Sequence, residues 1–390
     1  VGFGHRIGHT LRLPGRRFRR VVTVLVVLMT AAAAGGVAAL SGPSILAALH
    51  PSPTVSAQPP LPSLKLGPLA ATAPLPTGTG LAAALGAPVG KFPGTFTGVV
   101  LDPATGNILW QRTPGTPLVP GSTAKLLTTS AALLTLNPTS SLVTKVVAGT
   151  DPGSIVLVGG GDPTLTALPQ GKFGVYPDPA RLTDLAAQVK TATGGKATKI
   201  VVDTSRYRGP LLAPSWDPGD IAGGNIAPIT PLMLDGGRID PTQQDGARVT
   251  DPAHQAGVAF AKLLGLGPSA VVDGIAPPNG KDLGSVASAP ISALVEHLLQ
   301  TSDNVLAEVL SRETAIARGA EPSFDGAVQS TMAALTQAGI PTTGAAMVDG
   351  SGLSGLDKVP AQLLGALLAA AAAPAQGPDD TEFLRPVLTG

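Results

Sequence analysis

The chain has 390 residues, of which 44% are hydrophobic and only 3% aromatic, with 49 glycines and 39 prolines. That length accommodates two or three domains, and the apolar fraction supports a sizeable core. The formal net charge of +1 gives no electrostatic case for a nucleic-acid partner, and the absence of cysteine excludes disulfides, thiol catalysis and thiolate metal sites.

Residues 1–20 form a basic segment. Arg12, Arg16, Arg17, Arg19 and Arg20 precede an uncharged run over 21–40. The run matches the ~20 residues that span a bilayer as a helix. Arginines before it predict a cytoplasmic N-terminus and an extracytoplasmic body, anchored to the cell membrane. Val37-Ala38-Ala39 also offers small residues to a signal peptidase, which would leave the body secreted. Residues 41–90 carry Pro51, Pro53, Pro59, Pro60, Pro62, Pro74 and Pro76 and read as a disordered, semi-extended linker.

The folded part is expected from about residue 91. Residues 96–101 and 107–112, separated by Asp102-Pro103-Ala104-Thr105-Gly106, read as a β-hairpin. An apolar helix is predicted from Ser122 to about Leu136, ended by Asn137-Pro138. Strands follow at 141–148, 154–158 and 199–203, with helices at 178–192 and 251–264 and a loop at 216–240. Beyond Pro290 the pattern predicts helices at 291–299, 305–317, 324–338 and 361–373, with a strand at 345–349.

Several chemistries can be set aside. Beyond residue 90 only His254 and His297 occur, which leaves no His-x-x-x-His pair there, and no Gly-x-Ser-x-Gly elbow is present. A Ser-His-Asp triad and a zinc peptidase are therefore poor readings. A serine hydrolase without histidine can use lysine as its base, provided burial or cationic neighbours lower the amine's proton affinity. Ser122-Thr123-Ala124-Lys125 offers such a pair, because positions three apart at a helix start share one face. The helix N-terminus adds partial positive charge beside a developing oxyanion. Taken alone the motif reads equally as a capping serine followed by a solvated lysine. Chance would supply ~0.6 such matches. Ser302-Asp303-Asn304 is the only Ser-x-Asn in the chain and falls between two helical segments. Ser302 could relay a proton to a leaving amine, and Asn304 could orient the lysine and the substrate amide.

Both elements, in this order, resemble the penicillin-binding proteins and serine β-lactamases. Val158-Gly159-Gly160-Gly161-Asp162-Pro163-Thr164-Leu165 and Val348-Asp349-Gly350-Ser351-Gly352-Leu353-Ser354 are similar to segments of one branch, the low-molecular-mass class C penicillin-binding proteins, which are D-alanyl-D-alanine carboxypeptidases/endopeptidases. The resemblance implies an α/β (α+β) transpeptidase-type domain, an antiparallel sheet flanked by helices, built from 91–150 and 283–390. A module inserted between the first two motifs would occupy 151–282. It implies hydrolysis of the terminal peptide bond of peptidoglycan stem peptides, or of a cross-link. Ser122 would act as nucleophile, Lys125 as base, Ser302 as proton relay and Asn304 as positioner. β-Lactams would be covalent inhibitors, and no cofactor is implied. Lys358 stands near where the family places a basic substrate contact. The family's third motif, Lys/His-Thr-Gly on a strand, has only a poor counterpart in Leu388-Thr389-Gly390, so the catalytic domain is expected to be incomplete at its C-terminal side. Two alternatives stay open: a catalytically incomplete wall-binding protein of the same fold, and a β-lactamase-like hydrolase.

Overall fold

The structure of the chain is a computed structural model that describes residues 73–372 and Val387. The basic segment and apolar run at 1–40, most of the 41–90 linker and the Leu388-Thr389-Gly390 look-alike lie outside the described residues.

The linker assignment needs correcting at its C-terminal end. Helix α1 spans Gly78–Gly90, with the Thr77 hydroxyl accepting from the Gly80 N–H at 3.1 Å as its N-cap. Pro74 and Pro76 precede this helix, and Leu81-Ala82-Ala83-Ala84-Leu85 supplies good helix formers. The hairpin follows as β1 (Gly98–Leu101) and β2 (Ile108–Arg112), paired antiparallel. Its turn is held by the buried Asp102, whose carboxylate accepts from the Ala104 N–H at 3.0 Å and the Thr105 hydroxyl at 2.6 Å. A two-residue strand β3 (Pro117–Leu118) leads into a 3₁₀ turn at Gly121–Thr123 and helix α2 at Ala124–Thr135.

Strands β4 (Ser141–Ala148), β5 (Ser154–Val158), β6 (Lys199–Asp203), β7 (Val271–Asp273) and β8 (Asp282–Pro290) form one sheet in the order β7-β6-β5-β4-β8. The β5-β6-β7 pairs are parallel, and β4 pairs antiparallel with both β5 and β8. Helices α3 (Leu182–Thr193) and α5 (Pro252–Leu264) are the crossovers that parallel pairing requires. A single turn α4 at Gly219–Ala222 lies between them in the chain. One expectation changes here. The five-stranded sheet is mixed, and it joins 141–148 and 283–290, assigned to the catalytic domain, to the strands of the inserted module. The cause is main-chain pairing: β4 and β5 are joined by a short turn in which the Gly149 N–H donates to the Ser154 carbonyl. Gly160, in the glycine-rich stretch after β5, packs so closely that a Cβ would lie 1.7 Å from the Val143 carbonyl oxygen of β4.

The remaining helices are α6 (Ile291–Thr301), α7 (Asn304–Ala317), α8 (Phe324–Gln337) and α9 (Ala361–Ala372). A short strand β9 (Val359–Pro360) pairs antiparallel with β3. Helices α2 and α7 are buried along nearly their whole length, and α7 buries Glu308, Arg312 and Glu313 beside its apolar residues. With α6, α8 and α9 they form one apolar core, while the sheet with α3 and α5 forms a second. The strand expected at 345–349 is absent. Only a bridge between Ala346 and Lys358 forms there, because Asp349 draws the following amides around its own carboxylate.

Two ion pairs tie the middle segment to α7, Arg206 with Glu313 and Arg238 with Asp303 at the helix cap. Asp303 caps that helix by accepting from the Leu306 N–H at 3.0 Å, and its other oxygen accepts from the Tyr176 hydroxyl at 2.8 Å and Arg238 Nη2 at 3.1 Å. The Arg238 and Asp303 side chains have no exposed surface. Burial opposes ionisation of Asp303, but the Arg238 and Arg248 guanidiniums outweigh it and hold the carboxyl below its usual range. Truncating one partner strands the other charge. Arg238→Met is expected to lower the unfolding free energy by about 3–5 kcal/mol in urea titrations. An unchanged midpoint at unchanged slope would show that the pair contributes nothing.

Candidate active site

Gly121, at φ +54°, turns the chain into the 3₁₀ turn that carries Ser122. Ser122 does not cap α2: no side-chain cap bond forms at the start of that helix, and the Ser122 hydroxyl faces solvent. Lys125, one turn on, is 2% exposed. The expected pairing of the two is present, with Lys125 Nζ 3.1 Å from Ser122 Oγ. The ammonium also donates to Asn304 Oδ1 at 2.6 Å and to the Ser351 carbonyl at 2.8 Å. All three of its hydrogens are therefore placed.

The second motif arrives from the opposite side. Ser302 ends α6 in the left-handed region at φ 56°, a conformation that costs a non-glycine residue free energy and turns its hydroxyl toward Ser122. Ser302 Oγ donates to Ser122 Oγ at 2.9 Å. Asn304 opens α7 instead of lying in a loop, and its amide is held at both ends: Oδ1 takes the lysine, and Nδ2 donates to the Asn225 carbonyl at 2.9 Å. One amide hydrogen remains to meet a substrate carbonyl.

The third wall is the segment after residue 347. The fully buried Asp349 accepts from the N–H groups of Ser351, Gly352 and Ser354 at 3.0, 2.6 and 2.7 Å, and from Trp216 Nε1 at 2.7 Å. This wrapping aims the Ser351 carbonyl at the lysine. Gly352, at φ +79°, touches the site's other wall so closely that a Cβ would fall 1.9 Å from the Gly121 carbonyl oxygen. A cavity of about 270 Å³ opens over this cluster, lined by Ser122, Thr123, Lys125, Leu126, Leu299, Ser302 and Val387.

Burial lowers the Lys125 amine to about 8, with Glu308, Asp303 and Asp349 pulling in the opposite direction. Desolvation wins because the amine is nearly closed off from water, while the carboxylates act across intervening groups. An amine in that range can accept a proton from a neighbouring hydroxyl near neutral pH.

Of the five residues singled out in the sequence, the structure brings four together. Lys358 is not among them. Its backbone bridges Ala346, and its ammonium lies 3.4 Å from the Gly355 carbonyl. Two contributors had no side-chain signal, because the groups involved are the main-chain carbonyls of Ser351 and Asn225. The glycine-rich segment at 348–354 was the available pointer to the first. Nothing local marks the second.

Residues 81–248 and 240–386 match the family model described as the D-Ala-D-Ala carboxypeptidase 3 (S13) family. Over 333 residues the chain is 45% identical to carboxypeptidase Rv3627c of Mycobacterium tuberculosis, covering 84% of this chain and 71% of that protein. Carboxypeptidase DacB of Mycolicibacterium smegmatis is 44% identical over 310 residues, covering 78% and 67%. Among solved structures, penicillin binding protein 4 of Haemophilus influenzae superposes with a TM-score of 0.59 at 19% identity, over 74% of this chain and 78% of that one, which shows the shared fold. On the strength of the family match and these relatives, the chain belongs to the D-Ala-D-Ala carboxypeptidase 3 (S13) family.

Proposed function

We propose that the chain is a serine-type D-Ala-D-Ala carboxypeptidase/endopeptidase acting on peptidoglycan stem peptides through a Ser122 acyl-enzyme. The observation that carries this reading is the contact of Ser122 Oγ with both a buried, depressed amine and a second hydroxyl. Neutral Lys125 keeps two hydrogens on Asn304 Oδ1 and the Ser351 carbonyl, so its lone pair faces Ser122. Lys125 takes the Ser122 proton as the oxygen attacks the scissile carbonyl. The N-terminus of α2 lies beside the developing oxyanion and favours its charge. Ser302 relays the proton held by Lys125 to the departing D-alanine amine, which leaves Lys125 neutral for the next step, and the remaining hydrogen on Asn304 Nδ2 orients the acyl amide. Water then attacks the ester and returns Ser122. A β-lactam would open on the same oxygen and be released slowly. Family membership favours this reading over a wall-binding protein or a β-lactamase-like hydrolase.

The arginine-flanked apolar run at 21–40 supports an extracytoplasmic body, held to the membrane or secreted. Among the described residues no helix is long and apolar enough to cross a membrane.

Two outcomes are expected. A fluorescent penicillin labels the full chain covalently and leaves Ser122→Ala unlabelled; equal labelling of both would sink the nucleophile assignment. The labelling rate of the wild type rises with pH through an inflection near the Lys125 value of about 8, close to tenfold per pH unit below it, because only the neutral amine is a base. A rate that is flat between pH 6 and 9 would rule out Lys125 as the group that takes the proton.

A further inference from the structure

Behind Lys125 lies a carboxylate that this chemistry does not use. Glu308 follows Asn304 by one turn on α7 and has no exposed surface. Its Oε1 accepts from the N–H groups of both Gly350 and Ser351, each at 2.9 Å. Its Oε2 faces Arg312 Nη1 at 3.4 Å, and that guanidinium sits 4.1 Å over the Phe324 ring. From the other side the Thr128 hydroxyl of α2 donates to the Gly350 carbonyl at 2.6 Å. The peptide between Gly350 and Ser351 is thus gripped at its carbonyl by α2 and at its N–H by α7. Ser351 is the same residue whose carbonyl receives Lys125 Nζ.

We infer that Glu308 is a positioning residue for acylation: by fixing the Ser351 main chain it aims the Ser351 carbonyl, and through it the Lys125 lone pair, at Ser122. This rests on Ser122 and Lys125 acting as nucleophile and base. The stereochemistry is restrictive. A neutral amine has two hydrogens and one lone pair, so both hydrogens need fixed acceptors for the lone pair to have a fixed direction. Asn304 Oδ1 is one acceptor and the Ser351 carbonyl is the other. If the Ser351 peptide turns, the amine turns with it. The same carboxylate also acts on the amine by charge. The charged groups facing Lys125 are Glu308 and Asp303 from α7 and Asp349 from the 348–354 segment, with Arg312 and Asp357 one contact further out.

The test compares Glu308→Gln and Glu308→Ala in the full chain, by penicillin acylation rate against pH and by ¹³C-lysine NMR titration of Lys125, assigned with Lys125→Arg. Glu308→Ala loses acceptor and charge and is expected to acylate about 100-fold more slowly, the order of loss seen when a reacting group is misplaced by an ångström. Glu308→Gln keeps an acceptor but removes the negative charge that Glu308 carries above about 7, the value to which burial raises it. Both its rate inflection and its Lys125 titration are expected to move to lower pH, because an anion nearby favours the ammonium. Wild-type rates in folded Glu308→Ala would overturn the inference, as would a slowed Glu308→Gln whose Lys125 titration stays in place. Should both variants fail to fold, Thr128→Val and Thr128→Ser decide the matter from the other grip on the same peptide: a slow Val variant with Ser restored supports it, and a wild-type rate in the Val variant refutes it. The NMR titration does not depend on turnover, so failure of the nucleophile assignment and failure of the Glu308 role are read separately.

Discussion

The site depends on how one amine is held. Lys125 Nζ meets three acceptors that come from three separate parts of the chain: Ser122 from the turn before α2, Asn304 from the start of α7, and the Ser351 carbonyl from the segment before β9. Each acceptor has its own local cause. Ser122 follows from helical spacing. Asn304 follows from the Asp303 cap, which fixes where α7 begins. The Ser351 carbonyl follows from Asp349, which gathers the surrounding amides. Two of the three are therefore set by buried carboxylates that never touch the nucleophile.

This dependence explains why the residues between the first two motifs are not an appendage. Tyr176 and Arg238 reach Asp303, and the Asn225 carbonyl holds the amide of Asn304. Trp216 reaches Asp349 and stacks edge-on against Phe324 at 5.1 Å. The segment supports the second motif and the 348–354 turn at once. It is bonded into the site through side chains as well as through the sheet that β4 and β8 share with it.

Much of this was legible in the sequence, and the misses have physical reasons. A serine and a lysine three apart at a helix start can be recognised because helix geometry is local. Ser302 and Asn304 could be read for the same reason, as punctuation between two apolar helices. The Ser351 and Asn225 carbonyls could not, since every residue carries one and only tertiary structure chooses among them. Residues 345–349 suggested a strand through their apolar run, but Asp349 competes with strand pairing by hydrogen-bonding its neighbours' amides. The boundary of the inserted module was misjudged because strand order is a long-range property. Helix α1 is masked by the overall proline density of 41–90, although no proline falls between Thr77 and Pro88.

A core that buries Lys125, Arg238, Arg312, Asp303, Glu308, Asp349 and Asp357 is costly, since each ion loses several kcal/mol of hydration before any pairing returns it. Apolar replacements of both partners of a buried ion pair, unlike removal of one partner, are often neutral or stabilising. They would also remove the control over the lysine. Burial alone drives an amine toward a weak base that has little affinity for a serine proton. Full exposure leaves it protonated at neutral pH and unable to accept one. Glu308, Asp303 and Asp349 set a limit on how far burial can take Lys125, and the same carboxylates hold the peptides that aim it. Because these groups serve orientation and proton affinity together, truncating any of them acts on both at once, and stability gained by replacing a buried pair here would be gained at the expense of the base.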